Sequence, residues 1–550
     1  MFFRQKPAGP YRYVQIVENH REGGKVRQRA LMTVGRLDVL QASGQMEALI
    51  RSGLRFCEKL AVIDAASGAE AEGAVTVRIG PDLVFGRLWD RLGIQEELRA
   101  LLRNRRFGFD VERAIYLTVL HRLCVSGSDR AAEKWRRDYR IPGAESLELH
   151  QLYRAMAFLG TELPAGEQEG RTPFSPRCTK DVVEERLFAR RRDLFTDLQL
   201  VFFDTTSIYF EGEGGGIGEY GNSKDHRPDL KQIVVAAVLD AEGTPVCCEL
   251  WPGNTADVKS LVPVVERLRK RFGIGEICIV ADRGMISRET LATLESPDTN
   301  WKYILGARMR RQKEVRDQVL GRAGAYQEVV PERLNAKDPA PLKVKEVWEE
   351  DRRYIVCLNE EQRRKDAHDR QAIVEHLREQ LKQGEKSLVG NKGYRKYLRV
   401  AGKEHFVIDE KKIKAEARYD GKWVLRTNLD LPAEQIALKY KQLWMVEDIF
   451  RTMKSILDTR PIYHKCTETI RGHVFCSFLA LCLRKELADR LAAAGSDLEW
   501  NDVVRDLVEL QEMHTVFSGK PFVLRSQLKG CVHKVLQAVG VAVPPTVREA

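Results

Sequence analysis

Between residues 198 and 307 short, wholly apolar runs alternate with amphipathic ones. LQLVFFD (198–204) and IVVAAVL (233–239) have the pattern of strands covered on both faces. A turn at Asp240–Gly243 and the run TPVCCEL (244–250) predict a third strand that closes a hairpin. Residues 258–272 repeat apolar positions at helical spacing. EICIVAD (276–282) predicts a fourth strand, 287–294 a second helix, and YILGA (303–307) a fifth strand. The first and fourth strands each end in an acid, Asp204 and Asp282.

The flanking regions read differently. Two β-rich runs around Glu22-Gly23-Gly24 predict a hairpin over 11–37, made basic by Arg21, Lys25, Arg27 and Arg29. The small, acidic stretch 64–74 reads as a linker. Helical spacing runs from Asp82 to about Leu159 and again over Asp181–Leu194, with a Gly/Pro/Ser-rich loop at 160–177. Residues 311–430 mix strand-like runs with a highly charged helix near 360–383. Helical patterns return over Ala433–Leu457 and Ile470–Leu491. The expected organisation is therefore a basic β-hairpin unit (1–63), a helical region (75–195), a core in two parts (196–310 and 431–490), a β-rich insertion between them (311–430), and a helical C-terminal segment (491–550).

Composition narrows the class. The chain has 550 residues, is 43% hydrophobic and 31% charged, and carries a formal net charge of +11. That is globular, with a surplus that suits a polyanionic partner. No apolar run is long enough to span a bilayer, so no membrane partner is expected. The 11 cysteines include no CxxC pair, which fits reduced thiols in a bacterial-type cytosol, close to the nucleoid.

The order of three strands, helix, strand, helix, strand is that of an α/β fold of the ribonuclease-H-like kind. In that fold the first and fourth strands are parallel neighbours, which brings Asp204 and Asp282 together. Two adjacent carboxylates repel unless a cation lies between them. Two Mg2+ ions on such hard oxygen ligands suit phosphoryl transfer, and Mn2+ can substitute. The candidate third ligand is Glu447. In KYKQLWMVEDIFRTMK (439–454), read as one helix, Tyr440, Glu447, Arg451 and Lys454 share a face. Arg283, beside Asp282, joins them as a phosphate-contact candidate.

These residues carry a resemblance. The helix is similar to the motif Y-x-x-R-x-x-x-E-x-x-x-x-x-x-K of insertion-sequence DDE transposases of the IS-four superfamily, through Tyr440, Glu447 and Lys454, with Leu443 at the arginine position. Asp-Thr-Thr-Ser (204–207), Gly-Asn-Thr-x-Asp (253–257), Ala-Asp-Arg-Gly-Met (281–285) and the stretch 221–232 resemble the same group. The resemblance implies Mg2+-dependent cleavage at transposon ends and strand transfer into target DNA. It also implies a β-rich insertion before the glutamate, double-stranded DNA as partner, and a homodimer on DNA. Arg451 is the candidate to replace the missing arginine.

Other readings stand beside this one. Lys224, His226, Arg227 and Lys231 form either a phosphate-contacting loop or a solvated charge run. Asp257 reads as a cap of the helix after it. His464, Cys466, His473 and Cys476 match no standard zinc spacing. Trp301, Trp348 and Trp423 read as core tryptophans. The competing functions are a ribonuclease-H-like nuclease without strand transfer and a DNA-binding relative that has lost catalysis.

Overall fold

The computed structural model describes all residues except 1, 23–24, 55–71, 173–174, 192–199, 258–259, 274–276, 298, 300, 332–339, 384–395, 402–404, 518–519 and 550. The chain forms two compact units. The larger comprises Phe85–Arg136 and Pro142–Arg490; the smaller comprises Met1–Val84, Arg137–Ile141 and Leu491–Ala550.

The larger unit is built on one nine-stranded sheet. Its strands are β1 (Leu200–Tyr209), β2 (Gln232–Leu239), β3 (Pro245–Pro252), β4 (Cys278–Ala281), β5 (Lys302–Gly306), β6 (Gln327–Val329), β7 (Leu342–Glu349), β8 (Arg352–Leu358) and β9 (Lys422–Thr427). They lie in the order β6-β7-β8-β9-β5-β4-β1-β2-β3. β1, β2 and β3 form an antiparallel meander, while β4 runs parallel to β1 and β5 parallel to β4.

Alternation along β1 divides the core. Val201 and Phe203 pack with Leu261, Val264 and Leu268 of the helix Leu261–Phe272. Leu200 and Phe202 face the other way, toward Val446 and Phe450 of the helix Trp444–Ser455. Successive side chains of a strand point to opposite faces, so a run apolar at every position is what a sheet covered on both sides needs. β2 is buried along its whole length.

Two elements of the larger unit differ from the sequence reading. The inserted strands do not stand apart. β9 pairs with β5 (Leu425↔Gly306 to Thr427↔Ile304), so the insertion continues the core sheet and covers an edge that would otherwise expose unpaired backbone groups. The expected single helix over 433–457 is two, Ala433–Lys441 and Trp444–Ser455. Three-residue hydrogen bonds bridge the break, from Leu443 N to Tyr440 O (3.1 Å) and from Met445 N to Gln442 O (2.9 Å). The side chain of Leu443 is buried with Val446 and Phe450, so the position of the motif arginine serves the core. Tyr440 therefore does not share a helix with Glu447.

The helix Thr179–Arg191 is joined to the core by buried charges. Arg271 donates to Glu184 (2.6 Å) and Glu249 (3.0 Å), Arg267 to Asp181 (2.7 Å), and Lys180 to Asp181 (2.6 Å). Every one of these six side chains is buried, and each charge meets an opposite one, as burial requires.

In the smaller unit the expected hairpin gains a strand: Phe2–Ala8, Tyr11–Glu22 and Lys25–Arg36 form a three-stranded sheet. The C-terminal segment, expected to be helical, includes the strands Gln511–Phe517, Lys520–Arg525 and Val547–Glu549. They form a four-stranded sheet with Glu72–Arg78. The strand Gln511–Phe517 hides its charge: Glu512 is buried between Arg140 (2.5 Å) and Arg548 (3.1 Å). A polar pattern on that strand thus masks a β-element. Of the expected linker, 64–71 lies outside the described residues and 72–74 opens a strand. Among the described residues no helix is long and apolar enough to cross a membrane.

Candidate active site

Strand register brings Asp204 and Asp282 together. The parallel pairing of β1 and β4 runs from Leu200↔Cys278 to Phe203↔Ala281, so the next residue on each strand is one of the two aspartates. Asp204 lies within β1, not at its end as expected, because β1 continues to Tyr209. Asp282 follows β4 directly and opens the turn Arg283–Met285.

Asp204 is half-buried, and its Oδ1 accepts from the Thr205 N–H at 2.7 Å. Burial, helped by the neighbouring charges of Asp282 and Asp257 and opposed by Lys224 and the Thr205 N–H, pushes its pKa up to about 6. Asp282 is exposed, and its Oδ1 accepts from the Tyr440 hydroxyl at 3.0 Å. Burial, then Asp282, holds the Tyr440 phenol well above its ordinary pKa, so it stays a donor. Gly306 makes room for this bond: a Cβ there would lie 2.4 Å from the Tyr440 hydroxyl oxygen.

A cleft of about 230 Å3 opens beside β1, lined among others by Ser207, Asn222, Lys224, Asp257 and Gly284. Lys224 Nζ donates to Thr205 O (2.6 Å) and Thr205 Oγ1 (2.8 Å) and lies 3.4 Å from Asp257. Thr205 Oγ1 donates to Asp257 at 2.8 Å. Asp257 was expected to cap the following helix; its carboxylate instead faces the Asp204 strand. The sequence signal was the stretch Gly-Asn-Thr-x-Asp (253–257), set aside in favour of a cap.

Glu447 is exposed in the first turn of its helix, which packs on β1 and β2. Among the described residues, Asp204, Asp282 and Glu447 do not form a group whose ligand oxygens all lie within 4.8 Å of one another. Arg451 pairs with Asp448 (3.2 Å), not with Glu447, and is 67% exposed. Lys454 donates to Asp225 at 2.7 Å. Arg227 pairs with Asp229 (2.8 Å). Arg283 and His226 are exposed, the latter with φ +58.

The group that does converge is Asp129, His464 and His473. His464 Nε2 lies 3.2 Å from both Asp129 Oδ2 and His473 Nδ1. Arg122 lies 2.8 Å from that same His473 nitrogen and 3.8 Å from Asp129. The guanidinium supplies the cation this cluster needs, and Cys466 and Cys476 are not in the group.

Comparison with known families follows this geometry. Residues 196–483 match the family model described as Transposase DDE domain, and residues 3–67 match that of the IS1634 family transposase, N-terminal domain. The first match spans more than half of the chain, and the chain belongs to the DDE transposase family. It is a DNA transposase, an enzyme of a class that depends on divalent metal. No curated protein matches the chain. Among solved structures it is similar to a piggyBac transposase synaptic complex with hairpin DNA, at 9% identity over 78% of this chain and 79% of that one, TM-score 0.37. It is also similar to a Mos1 transposase paired-end complex with left transposon end, at 15% identity over 36% and 61%, TM-score 0.15.

Proposed function

We propose that this transposase is of the IS-four type, with a ribonuclease-H-like core in which Asp204, Asp282 and Glu447 hold two Mg2+ ions, or Mn2+ in their place. The observation that carries the reading is the register of β1 and β4, which makes Asp204 and Asp282 neighbours. The donor set fits: Asp204 and Asp282 offer hard oxygens side by side, burial and then the neighbouring Asp282 charge disfavour an ionised Asp204, and a divalent cation would offset both. When bound, the metal pair activates a water or 3′-hydroxyl and stabilises the leaving oxygen.

The chain's own groups do the positioning. Tyr440 holds one oxygen of Asp282 and the Thr205 N–H holds one oxygen of Asp204, which leaves the second oxygen of each for the ions. Arg283, His226, Arg227 and the exposed Arg451 meet DNA phosphates, while Lys224 and Tyr440 act from inside the site. The basic N-terminal sheet and the helices before residue 195 add DNA-binding surface. Two transposon ends must meet, so the working form is a homodimer on DNA in the cytosol. The test is Mg2+-dependent cleavage and strand transfer on a duplex bearing the terminal sequences that flank this gene. Wild type cuts and joins, and Asp282→Asn does neither. Equal cutting by both removes the site assignment. Cutting without joining makes the protein a nuclease, and binding without cutting makes it a DNA-binding relative.

A further inference from the structure

One buried acid has no part in the reading above. Asp225 lies in the polar loop 221–231, yet its side chain is only 3% exposed. Its Oδ1 accepts from Lys454 Nζ at 2.7 Å and from Arg460 Nη1. Its Oδ2 is buried without a hydrogen-bond partner. A carboxylate in such a place needs cations, and both come from the far side of the chain, 229 and 235 residues away.

Those two cations belong to the Glu447 element. Lys454 stands seven residues beyond Glu447, about two turns along the same helix. Arg460 follows the helix, and the chain then returns to the end of β1: Ile462 N donates to Tyr209 O at 3.1 Å and Glu211 N to Ile462 O at 3.0 Å. The residue before Asp225 reaches the other way. The Lys224 N–H donates to Ser207 Oγ at 2.7 Å, and its ammonium holds Thr205, next to Asp204. The consecutive residues Lys224 and Asp225 thus tie the Asp204 strand to the Glu447 helix.

We propose that Asp225 is a positioning residue for DNA cleavage: through Lys454 it sets where the Glu447 helix stands relative to Asp204, and Lys454 is an internal strut rather than a phosphate ligand. This rests on the assignment of Glu447 above. Lys454 is 12% exposed with its ammonium committed to Asp225, whereas Arg451, on the preceding turn, is 67% exposed. A lysine that left for a phosphate would leave the buried Asp225 to Arg460 alone.

The experiment uses the full-length protein and five variants: Lys454→Met, Asp225→Asn, their combination, Asp225→Glu and Glu447→Gln. Two quantities are read on a duplex with the gene's flanking terminal sequences. One is the single-turnover cleavage rate in Mg2+; the other is the slope of log Kd against log salt without divalent metal. Lys454→Met and Asp225→Asn are each expected to slow cleavage by roughly ten- to a hundredfold, the cost of an ångström-scale misplacement. The double variant is expected to be no slower than the worse single one, and the salt slope to stay at the wild-type value. A slope reduced by about one in Lys454→Met marks a lost phosphate contact and overturns the proposal. Asp225→Glu keeps the charge and restores most of the rate, and Lys454→Met leaves the Asp225–Arg460 pair intact, so the test survives if Asp225→Asn fails to fold. Wild-type cleavage by Glu447→Gln removes the triad itself. An inactive Glu447→Gln beside fully active Lys454→Met and Asp225→Asn removes this proposal alone.

Discussion

Gly306→Ala isolates the contact that orients Asp282. In a strand, alanine for glycine normally stabilises by about 0.5–1 kcal/mol. Here the added Cβ would lie 2.4 Å from the Tyr440 hydroxyl oxygen and 3.1 Å from the Arg283 amide nitrogen. Ordinary contact requires about 1 Å more, so the phenol must withdraw and its 3.0 Å bond to Asp282 is lost. A hydrogen bond to a charged acceptor contributes about 1.5–3 kcal/mol, which predicts a cleavage rate roughly ten- to a hundredfold lower. Tyr440→Phe removes the same bond without a clash; the nearest ring atom, Cζ, then stands 3.3 Å from the new methyl. Gly306→Ala in that background should cost little more than Tyr440→Phe alone. Single-turnover cleavage in Mg2+ across this four-protein cycle measures the coupling. Wild-type activity in Gly306→Ala, or strictly additive losses, would refute the reasoning.

Three further outcomes follow from the packing. Arg271→Leu strips the shared cation from buried Glu184 and Glu249 and should destabilise the fold by about 3–5 kcal/mol, read as a lower urea midpoint. Burial pushes the Asp129 carboxyl up, but the His464 hydrogen bond and Arg122 outweigh it and hold it at about 2. A depressed carboxyl stabilises above its unfolded pKa near 3.8 and loses that contribution as pH falls toward 2. Stability should therefore drop by on the order of 2 kcal/mol in that window, and Asp129→Asn should flatten this part of the pH profile. Leu443→Arg restores the motif letter but buries a guanidinium beside Val446 and Phe450, so it should lower the melting temperature and leave cleavage no faster; a faster enzyme would contradict this.

The centre of the fold was legible because its strands are buried on both faces, which leaves nearly continuous apolar runs ending at an acid. The pairing that joins them was legible too, since the order of elements implies it. Long-range partnerships were not. Leu425 and Gly306 are far apart in sequence, and nothing local marks β9 as a neighbour of β5. The bond between Tyr440 and Asp282 spans 158 residues. The strand Gln511–Phe517 was missed because the charge of Glu512 turns inward to Arg140 and Arg548, so polar letters stood where a buried strand is expected to be apolar.

The three carboxylates proposed as metal ligands are held by different kinds of constraint. Asp204 and Asp282 are positioned by backbone register at the middle of a sheet. A one-residue slip of β1 against β4 would exchange the side chains that fill the two core layers, so their pairing is fixed by the packing on both faces of the sheet. Glu447 has no such tether. Its helix begins after a break, lies on β1 through Val446 and Phe450, and is pinned further along by Lys454 on Asp225. Side-chain contacts of this kind can move by an ångström or more while the sheet stays intact. On the proposed assignment, the geometry of the third carboxylate depends on the Lys454–Asp225 contact, so Lys454 is the position where substitution should change the cleavage rate more than the stability of the fold.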